Sequence, residues 1–524
     1  MSRIAVYDTT LRDGTQGEGV AFSLEDKLLL AARLDEFGID YVEGGFPGSN
    51  PKDAAFFEAV RQRPWLRARL AAFGSTRKAS QRVEDDRTVA SLIEAGAPVA
   101  TVVAKTWGLH VSSVLRVTPE ENLAMIDETV RHLKAAGLEV ILDAEHFFDG
   151  FKVDREFALK CLRAAVDAGA DCLCLCDTNG GTLPAEIYRV VVEVRGEVGA
   201  PLGIHCHNDS GTAVAGTLAA VEAGATHVQG TVNGLGERCG NADLCGVIPN
   251  LVLKMNCDLA CADSLRRLTE LSRFVYELAN MNFRPDQPYV GMSAYAHKGG
   301  LHVHAVQRDP RTYEHIDPAA VGNERRVLIS ELSGSSNILA KTEKYHIARD
   351  KALTRKIVQK VAELENEGYQ FEAAEASFDL LVRRLMGRRR QFFTLHDWHV
   401  SSERRGTDKE PFTTATVKLS VDGHERLTVA EGDGPVNALD GALRKALEDF
   451  YPALKQVRLI DYKVRVVNAR AGTAARVRVV IESTDGEEIW GTVGVSENII
   501  EASWQAMVDS VEYKLTKELD RAAS

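Results

Sequence analysis

Thr118-Pro-Glu-Glu-Asn-Leu-Ala-Met-Ile-Asp-Glu-Thr-Val-Arg-His-Leu-Lys-Ala-Ala-Gly-Leu-Glu-Val-Ile-Leu-Asp143 reads as one helix followed by one strand. Thr118 is a good N-cap, Pro119 suits the first helical position, and Glu121 is placed to complete a capping box. Leu123, Ile126, Val130 and Leu133 mark one apolar helix face. Gly137 suits the left-handed turn that ends a helix. A β-rich run then begins at residue 139. The same unit recurs in both directions. β-rich runs fall at 4–7, 41–45, 70–74, 99–104, 139–143, 172–176, 202–207 and 227–232, and Gly38, Gly96, Gly169 and Gly224 each precede one as Gly137 does. Another helix starts at the N-cap Ser23 and carries Leu30, Leu34 and Phe37 at helical spacing. Most of the runs are too apolar for a sheet with one wet face and suit parallel strands covered on both sides. Eight such units in roughly 250 residues predict an α/β fold, a (β/α)8 TIM barrel. A doubly wound open sheet is the alternative. It normally opens with a glycine-rich phosphate loop after the first strand, where this chain has Asp8-Thr-Thr-Leu-Arg-Asp-Gly14.

The chain of 524 residues is too long for that barrel alone. Three parts are expected: the catalytic barrel over 1–260, a mostly helical linker and lid region over 261–400, and a small duplicated α+β domain over 411–524. Helices are predicted over 263–280 and 350–367. The polar run 401–411 reads as a linker. Beyond it, Ala415-Thr-Val-Lys-Leu-Ser-Val421 resembles Ala475-Arg-Val-Arg-Val-Val-Ile481. Each is followed by a β-rich stretch, an asparagine (Asn437, Asn498) and an amphipathic helix, and a repeat of this kind often pairs across a two-fold axis. Apolar residues at 45% and charged residues at 26% are ordinary for a soluble globular chain and argue against disorder. A net charge of −12 with no long basic run argues against general nucleic-acid binding. Arg388-Arg389-Arg390 reads as a solvated surface. No apolar run reaches the roughly 18 residues of a membrane span, and Met1-Ser2-Arg3 leads into a strand without a leader pattern. A cytoplasmic protein is the expectation. Nine cysteines are no disulfide framework. Cys172, Cys174 and Cys176 alternate on one strand face as small buried hydrophobes, and a reduced compartment fits them.

Functional residues of such a barrel sit where the strands end. The first strand ends in Arg12-Asp13, the second near Glu43, and the fifth in Asp143, Glu145 and His146. The sixth ends in Asp177-Thr178-Asn179. The seventh carries His205-Cys-His-Asn-Asp209, and the eighth leads to Asn233-Gly-Leu-Gly-Glu-Arg-Cys-Gly-Asn241. Residues i and i+2 of a strand share a face, so His205 and His207 both point inward and Cys206 points away. Two adjacent imidazoles take either a metal or separate hydrogen-bond partners. Strands one and eight adjoin when the barrel closes, which brings Asp13 and Asn241 to the pair. This mixed N/O set suits Mg²⁺, Mn²⁺, Zn²⁺ or Co²⁺, and the lack of thiolates argues against a structural zinc site. Arg12 is placed to stabilise an oxyanion beside the metal, or to pair with Glu43. Glu145 is a general base, an organiser of one, or a structural acid.

Residues 8–16, 205–209 and 234–241 resemble the three signatures of the DRE-TIM metallolyase superfamily. The C-terminal repeat is similar to the regulatory domain of 2-isopropylmalate synthase. Within the superfamily, 17–23, 41–49, 143–150 and 176–181 most resemble the citramalate synthases of the 2-isopropylmalate synthase-like group. The resemblance implies an acyltransferase that condenses acetyl-CoA with pyruvate, giving (R)-citramalate and free CoA for isoleucine biosynthesis. It implies that Asp13, His205, His207 and Asn241 hold the divalent metal and that Arg12 stabilises the developing alkoxide. Thr178 then binds the pyruvate carboxylate. Glu145 takes part in removing a proton from the acetyl methyl group, with His302 and with help from Tyr313. His302 lies in Ala296-His-Lys-Gly-Gly-Leu-His302, where His297 and His304 compete for the role. Some relatives have an aromatic residue two positions before the glutamate. This chain has Asp143 there, a position expected to bind substrate. A homodimer is implied, with the lid over the neighbouring active site, and isoleucine as a feedback inhibitor near 432–437. The alternatives are 2-isopropylmalate synthase or homocitrate synthase, and then a carbon–carbon lyase.

Overall fold

The computed structural model describes residues 3–61, 67–328, 350–404, 412–467 and 475–523. The eight predicted strands all form, and they close into a parallel barrel in sequence order. They are β1 (Ala5–Asp8), β2 (Tyr41–Gly45), β3 (Arg69–Ser75), β4 (Val99–Lys105), β5 (Glu139–Glu145), β6 (Cys172–Asp177), β7 (Leu202–Cys206) and β8 (His227–Gly230). Closure is made by β1 against β8, with Tyr7 opposite Gln229 and Asp8 opposite Gly230.

Alternation along each strand separates two environments. Val6, Val42, Leu70, Val102, Leu142, Leu173 and Ile204 face outward and join the helices in the main core. Tyr7, Ala71, Val99, Ile141, Cys172, Cys174 and Cys176 face the lumen and form their own apolar cluster. The three alternating cysteines are thus free, buried packing residues, and Cys206 lies in the outer core as expected. Nearer the C-terminal ends of the strands the lumen becomes polar, lined by the buried side chains of Glu43, Thr101, Asp143, His205 and Gln229.

The glycines read as helix ends, including Gly38 and Gly169, all take positive φ. Ser23 caps its helix (Leu24–Phe37) with a complete capping box to Asp26. The helix of residues Pro119–Ala135 differs from expectation. Thr118 accepts from the Glu121 backbone N–H at 3.2 Å, but the Glu121 carboxylate does not return the bond. It pairs with Arg77 at 2.8 Å. A charge-assisted bond to a nearly buried guanidinium outcompetes a single backbone N–H.

The chain divides into two compact units, Met1–Tyr295 with Ile316–Glu324, and Ala296–His315 with Arg325–Ser524. In the second unit β9 (Ala296–His297) pairs with β10 (Arg326–Val327). Among the described residues two helices follow, Lys351–Glu367 and Glu375–Leu385. The duplicated region is two β-β-β-α modules. β11 (Thr394–Glu403), β12 (Phe412–Val421) and β13 (His424–Gly432) precede the helix Pro435–Leu447, and β14 (Arg458–Val466), β15 (Val477–Thr484) and β16 (Ile489–Ser496) precede Ile499–Ala523. Both modules carry a register shift near the start of the first strand, between Leu395 and Asp397 and between Leu459 and Asp461.

Two readings change here. The run read as a linker from 401 begins inside β11, where Ser401 and Ser402 pair with Thr414 and Thr413; residues 405–411 lie outside the described residues. Arg389 is not simply solvated, because it reaches the buried Glu512 at 2.8 Å. No helix among the described residues is long and apolar enough to cross a membrane.

Candidate active site

The loop after β8 folds back along the end of β7. Asn208 N–H donates to Gly240 O and Ala242 N–H to Cys206 O, both at 2.9 Å, and His207 and Asn241 form a backbone bridge. Glycine is required in this return. At Gly240, with φ 83°, a Cβ would lie 1.9 Å from Gly234 O, and at Gly236, with φ 151°, one would lie 2.1 Å from Asn241 Nδ2. Arg238 fixes the loop from outside, gripping both carboxylate oxygens of Asp209 at 2.8 and 2.9 Å and the Thr178 carbonyl at 2.7 Å.

This path brings the four predicted metal ligands together. Asp13 Oδ2 lies 3.4 Å from His205 Nε2 and 4.0 Å from His207 Nε2, and the two imidazole Nε2 atoms are 3.4 Å apart. Asn241 stands against Asp13. Donors bound about 2.1 Å from one ion lie roughly 3.0–4.2 Å from each other depending on the angle between them, so this set fits a divalent metal. The unsatisfied atoms agree. Asp13 Oδ1 and Asn241 Oδ1 are buried with no hydrogen-bond partner, a costly state for polar atoms unless a ligand completes them. Asn241 Nδ2 donates to Leu235 O at 3.0 Å, and Asn241 Oδ1 is left without a partner.

The electrostatics prepare the ligands. Burial pushes His205 below the ordinary imidazole range, and burial with the neighbouring His205 takes His207 down to about 4. Both rings are therefore neutral and able to ligate near pH 7. Burial opposes charge on Asp13, but the interactions led by the Arg12 guanidinium overcome it and hold the carboxyl below its usual range. Burial likewise opposes charge on Arg12, and Glu43 and Asp13 more than offset it. Arg12 donates to Glu43 at 2.7 Å, lies 3.4 Å from Asp13 and sits 3.8 Å over the Phe73 ring. Both readings of Arg12 hold in one geometry, since the ion pair with Glu43 anchors the guanidinium beside the metal ligands. Glu43 is fixed in turn by Tyr7 at 2.6 Å and by Thr9.

On β5, Glu145 is an ion-pair partner of Lys105, its neighbour across β4 and β5. Thr178 Oγ accepts from the His146 N–H at 2.9 Å, which leaves its own hydroxyl hydrogen to donate. His146 holds a left-handed backbone, φ 54°. Asp143 is buried, accepts from Gln229 at 2.9 Å, and is pushed up to about 7 by burial and by Glu43. His302 and Tyr313 belong to the second unit, where their rings stack with centroids 4.1 Å apart. The competing His297 is buried against Glu314 at 3.0 Å, and Arg325 also binds Glu314. His304 is exposed. Sequence reasoning missed Lys105, Phe73 and Gln229. Each had a signal, a polar or aromatic residue on a barrel strand at a register that faces the lumen or the strand end.

A closed barrel with an Asp-His-His-Asn cluster beside a partly buried arginine defines a class of enzyme that holds a divalent metal at the mouth of a (β/α)8 fold. Residues 3–275 match the HMGL-like family model, 289–369 the homocitrate synthase post-HMGL domain-like model, and 372–515 the LeuA allosteric (dimerisation) domain. The chain is 56% identical to the (R)-citramalate synthase of Geobacter sulfurreducens, covering 99% of this chain and 98% of that protein. It is 54% identical to the (R)-citramalate synthase of Aquifex aeolicus, covering 98% of each. Identity to the 2-isopropylmalate synthase of Methanocaldococcus jannaschii is 31%, covering 98% of this chain and 95% of that protein. The chain belongs to the (R)-citramalate synthase family, within the HMGL-like barrel enzymes.

Proposed function

We propose that the protein condenses acetyl-CoA with pyruvate and water to give (R)-citramalate and CoA. The observation that carries this is the pairing of a metal-fitting cluster with an arginine held charged 3.4 Å from its aspartate. Full-length similarity to citramalate synthases supports the choice of reaction. Asp13, His205, His207 and Asn241 would hold a divalent ion, Mg²⁺, Mn²⁺, Zn²⁺ or Co²⁺, and that ion supplies Lewis-acid polarisation of the 2-oxo acid. Arg12 cannot swing away from Glu43, so its charge is already aimed where the ketone oxygen becomes an alkoxide. Thr178 donates its hydroxyl hydrogen to the pyruvate carboxylate. Glu145 takes a proton from the acetyl methyl group, a weak acid that needs a positioned base. His302 and Tyr313, whose rings stack 4.1 Å apart, are assigned the remaining proton transfer. Water then hydrolyses the citramalyl thioester.

We read the protein as a cytoplasmic homodimer of the isoleucine pathway, inhibited by isoleucine near 432–437. Support for the dimer comes from the LeuA-type module and from Leu427 and Val429, which share one face of β13 and are 67% and 52% exposed. The test of the reaction is its product. Carbon-13 acetyl-CoA and unlabelled pyruvate should yield labelled (R)-citramalate by NMR and chiral chromatography. Labelled 2-isopropylmalate formed only from 2-oxoisovalerate would transfer the chain to the sister activity.

A further inference from the structure

We propose that Gln229 and Asp143 form a positioning relay that sets the tautomer of His205 and thereby the strength of the metal centre. The proposal deepens the reading of this site as a divalent-metal centre and rests on it. Gln229 of β8 and His205 of β7 are register partners across adjacent strands. Both are buried, as is Asp143 of β5. Gln229 Oε1 lies 2.9 Å from His205 Nδ1. Its Nε2 donates to Asp143 Oδ1 at 2.9 Å.

The order of these contacts matters. A glutamine amide can face His205 with either its oxygen or its NH₂ group. Asp143 Oδ1 accepts from the NH₂ end, which leaves Oε1 toward the histidine. An acceptor at Nδ1 places the ring proton there. His205 Nε2 is then unprotonated, and Nε2 is the atom 3.4 Å from both Asp13 Oδ2 and His207 Nε2. Asp143, with His227 Nε2 3.5 Å from the same NH₂ group, thus fixes one amide, and the amide fixes the ring nitrogen that faces the site. Were the amide reversed, its N–H would meet Nδ1 and drive the proton onto Nε2, the wrong atom for ligation. His207 has no equivalent, since its Nδ1 is buried without a partner. The relay supports one imidazole of the two. Asp143 therefore acts here as a positioning residue through Gln229, in place of the substrate contact expected from its sequence position.

The test is Mn²⁺ binding to the metal-stripped, full-length protein, followed by electron paramagnetic resonance of free Mn²⁺ and by calorimetry, with no substrate present. Gln229→Leu and Asp143→Ala should each weaken Mn²⁺ binding by about 10–100-fold, the usual effect of losing such a support. At saturating Mn²⁺, their KM for pyruvate should stay near native. Gln229→Glu alone should also weaken binding, because it sets two acids face to face. Adding Asp143→Asn to Gln229→Glu restores one donor and one acceptor with their roles exchanged, and should recover most of the lost affinity. This rescue separates the relay from a general packing defect, so a poorly folded Gln229→Leu would not leave the question open. Native-like Mn²⁺ affinity in Gln229→Leu, or no rescue in the double variant, would overturn the relay. A native protein that binds no Mn²⁺ would instead overturn the metal site itself.

Discussion

Arg12 carries the heaviest electrostatic load in the site, anchored by Glu43 at 2.7 Å and stacked 3.8 Å from Phe73. Arg12→Lys keeps a charge but cannot make both contacts and also reach Asp13. It should lower kcat by about 10²–10³ with little change in KM, as expected when a transition-state donor is lost. A raised KM with unchanged kcat would mean Arg12 only binds substrate. His207→Ala should lose metal retention and at least about 100-fold in activity, checked by elemental analysis after dialysis. His227 allows a pH prediction. Burial alone takes it down to about 4, so between pH 6.5 and 4 the unfolded chain takes up a proton that the folded protein refuses. Stability from this group is complete above about 6.5 and is lost as pH falls to about 4, on the order of 3 kcal/mol. Asp8 and Asp143, both raised to about 7 by burial, act in the opposite sense. The measurement is therefore a difference. The urea stability of His227→Phe relative to the native protein should improve as pH falls from 6.5 to 4, and a flat difference would contradict the assignment. At this scale the sequence was legible where chemistry is local. His-x-His could be read because strand alternation alone aligns its two rings, and Arg12-Asp13 because the pair stands together in the short turn after β1. Gln229 and Lys105 could be placed on their strands but not paired, because their partners Asp143 and Glu145 lie on other strands and are chosen by barrel register.

Among the elements, the two helix starts set a contrast. Ser23 makes a full capping box, and Ser23→Ala should cost about 1 kcal/mol of unfolding free energy, read from denaturant midpoints. Glu121 acts elsewhere, because it and Glu128 hold Arg77, whose side chain is only 5% exposed. Glu121→Gln should thus leave the helix start intact, with its effect removed in an Arg77→Met background. An N-cap was read at both sites and both form; the capping box was read only at Thr118, where Glu121 does not close it. Arg77, 44 residues before Glu121, is beyond any local signal. The eight strands were legible because a buried parallel sheet writes continuous apolar runs. The bound of β7 was not, since His207 leaves the β7–β8 pairing to bridge Asn241. The twin bulges of the C-terminal modules fall before the stretch where the repeat is visible in sequence, so the duplication extends further than residue identity shows.

For the whole molecule, the second unit tests the regulatory reading. Isoleucine at millimolar concentration should slow the native enzyme, and Asn437→Ala should blunt the response while leaving basal turnover unchanged. Sedimentation should show a dimer weakened by Leu427→Lys with Val429→Lys. Barrel and duplicated domain were both legible as periodic patterns, whereas the junction near 401 was not, because a polar edge strand such as β11 has the composition of a linker. The central claim is the metal-dependent condensation, and release of free CoA thiol from acetyl-CoA tests it most directly. The assay runs on chelated protein with and without metal added back, in parallel with pyruvate, 2-oxobutyrate, 2-oxoisovalerate and 2-oxoglutarate. We predict turnover with pyruvate that is abolished by chelation and restored by metal, with little from the branched or dicarboxylic acids. Thiol release that ignores chelation, or none with any acceptor, would contradict it.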